Sequence, residues 1–246
     1  MAHSLSKRHK FFIQFMLTNG LVTVDKALKF FSEISPEQNQ LIHLKSLIIE
    51  INRAIGLQYF KIATSICEVT GENVFIWINT KNDELSKHQL GFSPVELEYF
   101  HAIMQEIITS ENHQVLYPRC INITSTLVGT LSRESGEKAL IKWIKGGYFV
   151  KKQQFVYLGA RTILEFTTYL RTNTENCTCS LCSELVFVGK NCGSCENTFH
   201  AFCIQKYLQN QCRCPSCKAD WEEANTNTSM DVDSDEGPSE RPGSSS

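Results

Sequence analysis

The chain has 246 residues, 42% hydrophobic and 20% charged, with a formal net charge of −2. That length suits two or three small domains of ordinary globular composition. It excludes a strongly basic nucleic-acid binder, and no apolar run approaches the roughly 18 residues of a membrane span.

From the N-terminus, Lys7-Arg8-His9-Lys10 precedes the apolar stretch Phe11–Leu17. The arrangement imitates a signal peptide. However, Gln14 interrupts the run, Thr18-Asn19-Gly20 closes it, and no small-residue cleavage site follows, so a helix start is expected. Phe12, Phe15 and Met16 recur at helical spacing, with Gly20 as terminator. A second short helix should carry Ala27, Leu28 and Phe31. Ser35-Pro36-Glu37-Gln38 then supplies an N-cap, a first-turn proline and a capping-box glutamine. The helix that follows should bury Leu41, Leu44, Ile48, Ile51 and Ile55. Two β-rich runs, Tyr59–Cys67 and Val74–Ile78, flank Thr70-Gly71-Glu72-Asn73 and predict a hairpin. Three helices followed by a hairpin is the order of a winged helix.

The order then repeats. Ser93-Pro94-Val95-Glu96 opens a helix that turns Leu97, Phe100, Ile103, Met104 and Ile107 inward. A second helix is expected around Ser125–Leu131, and a third near Gly136–Lys145 around Ala139, Leu140, Trp143 and Ile144. Strands follow at Tyr148–Val150 and Phe155–Leu158, then a last helix over about Ala160–Thr172. Lys138, Lys142 and Lys145 share one helical face and could contact phosphates, but Glu134 and Glu137 dilute the charge. A solvated face is the preferred reading, with weak or no direct DNA binding.

Nine of the eleven cysteines fall between Cys177 and Cys217. Eight ligand-type residues stand there in four pairs: Cys179 and Cys182, Cys192 and Cys195, His200 and Cys203, Cys214 and Cys217. A two-residue gap lets two side chains of one tight turn reach the same tetrahedral ion. Four such pairs predict two structural zinc ions, and eight ligands leave no open coordination position for a catalytic metal. A segment this short cannot bury a self-sufficient core, so metal must supply much of its stability. Consecutive pairs could each hold one ion. Alternatively the pairs interleave, with Cys179, Cys182, His200 and Cys203 on one ion and Cys192, Cys195, Cys214 and Cys217 on the other. The short step from Cys195 to His200 favours the interleaved cross-brace. Cys177 and Cys212 read as spare thiols, Cys67 and Cys120 as ordinary buried or loop cysteines. Thiolates kept for zinc imply a reducing compartment.

The ligand order, with histidine fifth, resembles the variant RING and PHD finger groups. PHD fingers usually carry tryptophan two residues before the seventh ligand, where this chain has Cys212. Leu181 inside the first pair and Pro215 after the seventh ligand look like RING positions that form an apolar groove for a ubiquitin-conjugating enzyme. Lys218 follows the last ligand, where many RING ligases keep a basic residue, though lysine lacks arginine's planar fork. Ile204, Tyr207 and Leu208 should lie on a short helix between the sixth and seventh ligands.

Two winged helices before a variant RING resemble the non-structural maintenance of chromosomes element 1 family. Supporting stretches are the zinc string ending in Cys214-Pro-Ser-Cys217 with Trp221, and Leu158-Gly-Ala-Arg-Thr-Ile-Leu-Glu165. The expected fold is α+β: winged helix 1 over 1–82, winged helix 2 over 83–175, the variant RING over 176–221, and an acidic tail over 222–246. That tail holds one basic and seven acidic residues. The resemblance implies a nuclear, chromatin-bound subunit of the structural-maintenance-of-chromosomes 5–6 complex, acting in DNA repair as a RING-type ubiquitin ligase. Implied partners are a MAGE-like subunit, a kleisin-type subunit and a ubiquitin-conjugating enzyme. The alternative is a non-catalytic, zinc-stabilised assembly module that binds the MAGE-like subunit.

Overall fold

A computed structural model of the chain describes residues 5–35, 40–81, 91–175 and 177–222. Most of the capping sequence Ser35–Gln38, most of the polar linker expected over 80–92, and the acidic tail beyond Glu222 lie outside the described residues.

The first unit runs α1 (Lys7–Asn19), β1 (Leu21–Thr23), α2 (Val24–Ile34), α3 (Gln40–Ile55), β2 (Phe60–Ile66) and β3 (Asn73–Asn79). Gly20, at φ 71°, ends α1 by turning its N–H back to the Met16 carbonyl at 2.8 Å. Its left-handed backbone leads straight into β1, a strand too short to be read from periodicity. The three strands pair antiparallel in the order β1-β3-β2. Asn52 of α3 sets the position of β2: its amide donates to the Ile62 carbonyl at 2.9 Å and accepts from the Ile62 N–H at 2.8 Å. Phe12, Met16, Phe31, Leu44, Ile51 and Phe75 fill the core. Leu41, expected inside, is 40% exposed and Ile55 is half-buried; Leu47 takes the inward place. The apolar stripe of α3 is therefore centred on its middle turns.

The second unit runs α4 (Pro94–Thr109), β4 (Gln114–Leu116), α5 (Tyr117–Asn122), α6 (Arg133–Lys145), β5 (Phe149–Lys152) and β6 (Phe155–Leu158), with sheet order β4-β6-β5. Ser93 and Glu96 close a capping box: the Glu96 carboxylate accepts the Ser93 N–H at 2.7 Å and the Ser93 hydroxyl accepts the Glu96 N–H at 3.4 Å. The helix expected near 125–131 lies earlier. It is α5, prolonged by a 3-10 turn over Ile123–Thr126. Residues 127–129 form a bend instead, because the Glu98 carboxylate accepts the N–H groups of Val128 and Gly129 at 2.6 and 3.2 Å. The single helix expected over 160–172 is two, α7 (Ala160–Glu165) and α8 (Thr167–Asn173). Phe166 breaks it, leaving helical geometry at φ −108° and ψ 20° as its ring packs 5.5 Å from that of Phe100.

These two units are packed together. Val74, Ile76 and Ile78 on one face of β3 bury against Ala160 and Leu164 of α7, while Phe75 and Trp77 face the first core. Both faces of β3 are thus covered, which explains its unbroken apolar run Val74–Ile78. The Glu165 carboxylate accepts the Asn79 N–H at 3.1 Å and pairs with Arg161 at 3.1 Å, while Arg161 lies over the Tyr148 ring. Gly159 makes the closest backbone approach: a Cβ there would sit 2.2 Å from the Gly147 carbonyl oxygen. Gly159→Ala should cost about 2–3 kcal/mol, the upper range of overpacking because backbone cannot step aside. Thermal melts of the variant and wild type check this, and an unshifted midpoint contradicts it.

The C-terminal module contains β7 (Gly189–Asn191), β8 (Thr198–His200) and α9 (Ala201–Leu208). Its own core is small: Val186, Phe199 and Ile204 with several of the candidate ligands, and Trp221 standing edge-on to Phe199 at 5.7 Å. Leu185, Phe187 and Cys177 instead join the core of the second unit, so the module is docked and not tethered.

Candidate metal centres

Three tight turns and one helix start deliver the ligand-type side chains. Backbone bonds close each of three Cys pairs: Ser183 N–H to Cys179 O, Glu196 N–H to Cys192 O, and Lys218 N–H to Cys214 O, at 2.8, 2.9 and 3.1 Å. Ser183, Glu196 and Lys218 each take positive φ, near 60°, immediately after the second cysteine of a pair. The remaining pair, His200 and Cys203, sits at the start of α9, with His200 as its N-cap.

The structure gathers these residues as interleaved sets. Donor atoms of Cys179, Cys182, His200 and Cys203 all lie within 4.8 Å of one another, as do those of Cys192, Cys195, Cys214 and Cys217. A tetrahedral ion with ordinary Zn–S and Zn–N lengths requires S···S edges of ~3.8 Å and N···S edges of about 3.5 Å. In the second set Cys192–Cys217 and Cys195–Cys214 sulfurs are 3.9 and 3.8 Å apart. In the first set His200 Nδ1 is 3.3 Å from Cys182 Sγ and 3.8 Å from Cys203 Sγ. Both donor sets therefore fit zinc, and each would supply four protein ligands to an ion.

Local donors prepare the thiolates. The N–H groups of His200, Leu181 and Cys182 outweigh burial at Cys179 and lower it to about 7, and the backbone and side chain of Asn197 do the same for Cys195. Cys203 is pushed up to about 12 by burial and by the charges of Cys179 and Cys182. Several sulfurs compelled to share one space favour a cation among them. Two cysteines outside the sets are likewise held as thiols. Burial pushes the Cys120 thiol up to about 12 and raises Cys177, whose sulfur lies 3.4 Å from His113 Nε2. Cys212 is exposed.

Two family profiles match the chain. A family profile described as "Nse1 non-SMC component of SMC5-6 complex" matches residues 9–127, and one described as "RING-like domain" matches residues 179–217. A Drosophila melanogaster relative, a non-structural maintenance of chromosomes element 1 homolog, is 30% identical over 184 residues, covering 72% of this chain and 77% of its own length. The chain belongs to the non-structural maintenance of chromosomes element 1 family. The Homo sapiens homolog of that family is 25% identical over 221 residues, 87% of this chain and 83% of the relative. A solved chain from an "Nse1-Nse3-Nse4 complex" superposes with a TM-score of 0.73 at 19% identity, over 89% of this chain and 97% of its own. The family fold therefore extends through all three units, with a RING-like domain at the C-terminal end.

The positions compared with a RING groove lie on two different ligand turns. Leu181, 36% exposed, sits on the first ligand turn, while Pro215 is half-buried on the last. Lys218 shares the turn of Pro215, and its Nζ donates to the Pro215 carbonyl at 2.9 Å. Of the lysine stripe on α6, Lys138 pairs with Glu134 at 2.6 Å and Lys142 covers the Phe92 ring at 4.1 Å.

One functional-looking residue escapes sequence reasoning. Glu68, in the β2–β3 turn, reaches the first metal set: its Oε1 lies 3.2 Å from His200 Nε2. The Leu185 carbonyl also accepts from Nε2 at 2.9 Å. With both acceptors at Nε2, the proton belongs there and Nδ1 is left to face the sulfurs. No local signal marks Glu68, since its partners lie more than 100 residues away in the chain.

Proposed function

We propose that the chain is a subunit of a structural-maintenance-of-chromosomes 5–6 complex, nuclear and chromatin-bound, that uses its C-terminal module as a RING-type ubiquitin ligase in DNA repair. The interleaved pair of four-coordinate sets at the end of a family scaffold carries this reading. Zinc at both sets shapes the surface and takes no part in bond making. Cys179, Cys182, His200 and Cys203 would hold one ion; Cys192, Cys195, Cys214 and Cys217 the other. The chain's own contribution is positioning: Leu181 and Pro215 offer apolar contact to a conjugating enzyme, and a substrate lysine attacks the ubiquitin thioester held there. Such a mechanism asks for no nucleophile from this chain.

The upstream units, residues 1–82 and 83–175, read as tandem winged helices, supported by the repeated order of helices with an antiparallel three-stranded sheet. They are the proposed docking surface for a MAGE-like and a kleisin-type subunit, a reading supported by the fold match to a chain of an Nse1-Nse3-Nse4 complex. With Lys138 and Lys142 occupied, direct DNA binding is expected to be weak.

A second reading has its own observation. Lys218 stands where a RING ligase commonly uses a basic residue, and its ammonium is spent on the carbonyl of its own turn. That favours a non-catalytic, zinc-stabilised assembly module. Ubiquitin-chain formation with a panel of conjugating enzymes, with and without the MAGE-like subunit, separates the two. The ligase reading expects partner-dependent chains that Leu181→Ala reduces roughly tenfold, the equivalent of about 1.4 kcal/mol of lost contact. No chains in any combination leaves the assembly reading standing.

A further inference from the structure

We propose that Glu68 is a positioning residue for the first metal centre, and that its carboxylate couples ion binding there to docking of the C-terminal module on the first unit. The proposal rests on the zinc reading of Cys179, Cys182, His200 and Cys203.

Glu68 belongs to the tip of the β2–β3 hairpin, far in sequence from the module it touches. Its side chain is only 6% exposed. One oxygen accepts two backbone N–H groups of the module, Phe187 at 3.0 Å and Val188 at 2.7 Å. The other faces His200 Nε2 at 3.2 Å. A carboxylate this enclosed is tolerated only when donors satisfy both oxygens. Here every identified donor comes from the module.

The hairpin tip is held rigidly enough to aim the group. The Cys67 N–H bonds to the Glu72 carbonyl at 2.9 Å and the Gly71 N–H to the Cys67 carbonyl at 2.7 Å. Lys152 of the second unit donates to the Val69 carbonyl at 3.2 Å, bracing the same turn. Glu68 thus meets the module from a fixed scaffold built by both upstream units.

The chemistry at His200 makes the contact more than an anchor. Imidazole ligands donate their second N–H to a carboxylate or carbonyl, which fixes ring orientation and strengthens the ligating nitrogen. With a dication held at Nδ1, His200 would donate its Nε2–H more strongly to Glu68. Because the two effects are one free energy of coupling, each must promote the other. Ion binding at the first set should tighten docking, and docking should tighten ion binding. The second set touches no Glu68 oxygen among the described contacts and serves as an internal control.

The test uses the full zinc-loaded chain. Chelator competition resolves the two ions, and cobalt substitution distinguishes the histidine-containing site from the all-sulfur site by absorption. In Glu68→Ala the ion at the histidine-containing site should be lost 10–100-fold more readily, the usual effect of deleting a ligand-supporting group. The ion at the all-sulfur site should be held as in wild type, and the Phe187 and Val188 amides should exchange faster. Glu68→Gln, which keeps an acceptor without the charge, should fall between the two; if the alanine variant does not fold, this intermediate loss of one ion carries the test alone. Equal retention of both ions in the variants sinks the proposal, and so does equal weakening of both, which signals general destabilisation. A wild-type chain that takes up fewer than two ions overturns the zinc reading itself, before Glu68 is altered.

Discussion

In Cys214→Ser the C-terminal module should unfold while the two upstream units stay folded. Cys214 is fully buried, with its sulfur 3.8 Å from that of Cys195 in the second metal set. Serine offers a neutral hydroxyl where a thiolate donor is needed, so the set drops to three sulfur donors. Structural zinc contributes roughly 10–16 kcal/mol of apparent folding free energy in small zinc modules. The apolar core of Val186, Phe199 and Ile204 is too small to replace it. Bound zinc should fall from two ions to at most one, and amide protection should vanish across β7, β8 and α9. The first core is a cluster of its own, and the second draws only Cys177, Leu185 and Phe187 from the module, so both should keep most of their protection. Cys212→Ser is the matched control: exposed and outside both sets, it should change stability by no more than ~0.5 kcal/mol. Retention of two ions by Cys214→Ser contradicts the assignment of that set.

The metal sets were legible because their signal is local. A two-residue gap is a property of one turn, and four repetitions in one segment leave little freedom in where the donors can go. The helices α1 to α4 and α6 were legible for a similar reason, since caps such as Ser93 with Glu96 and terminators such as Gly20 act within one turn. The failures are all tertiary. Residues 125–131 looked helical until the Glu98 carboxylate, thirty residues upstream, captured the N–H groups of Val128 and Gly129. Ala160–Thr172 looked like one helix, but Phe166 is drawn into a core shared with Phe100. Leu41 fits the α3 stripe by spacing yet is 40% exposed, facing an open cavity that it shares with Thr64 and Phe75 of the sheet. Strands β1 and β4 are three residues each and carry no periodicity at all.

Glu68 shows the same limit at the functional site. In the sequence it is one acidic residue in a turn; only folding sets it against His200, and only the packing of β3 on α7 sets the first unit where the hairpin can reach. The unbroken apolar run Val74–Ile78 fits a strand covered on both faces, although by spacing it marked only one arm of a hairpin. What it could not announce was the partner, because Ala160 and Leu164 are small additions to an otherwise ordinary amphipathic helix. The module's placement thus depends on Cys177, Leu185 and Phe187 buried in the second core and on one carboxylate supplied by the first unit.

The second core has a different weak point, and two substitutions at Trp143 expose it. The indole is 1% exposed and stands between Phe92, Tyr99, Phe100 and Phe149, with ring centroids 5.3, 5.6, 5.2 and 6.2 Å away. Trp143→Ala empties the centre of that cluster and should cost about 3–5 kcal/mol, enough to remove most of the stability of a unit this size. Trp143→Phe should be much milder, about 1–2 kcal/mol, although it too deletes volume. Phenylalanine keeps an aromatic ring in the cluster, and its remaining cost is offset by loss of the indole Nε1, which is buried with no hydrogen-bond partner among the described residues. An unsatisfied donor of that kind costs about 1–3 kcal/mol, and phenylalanine removes it together with the ring that carries it. Amide exchange along α4 and α6 is the suitable readout, because it isolates this unit from the other two in a chain that need not unfold in one step. Both variants delete the stranded N–H, so the gap between them reports the ring volume that phenylalanine keeps. Equal losses of protection in the two would contradict this packing account, and a phenylalanine loss well below that expected from its missing volume would mark the relief of the unsatisfied donor.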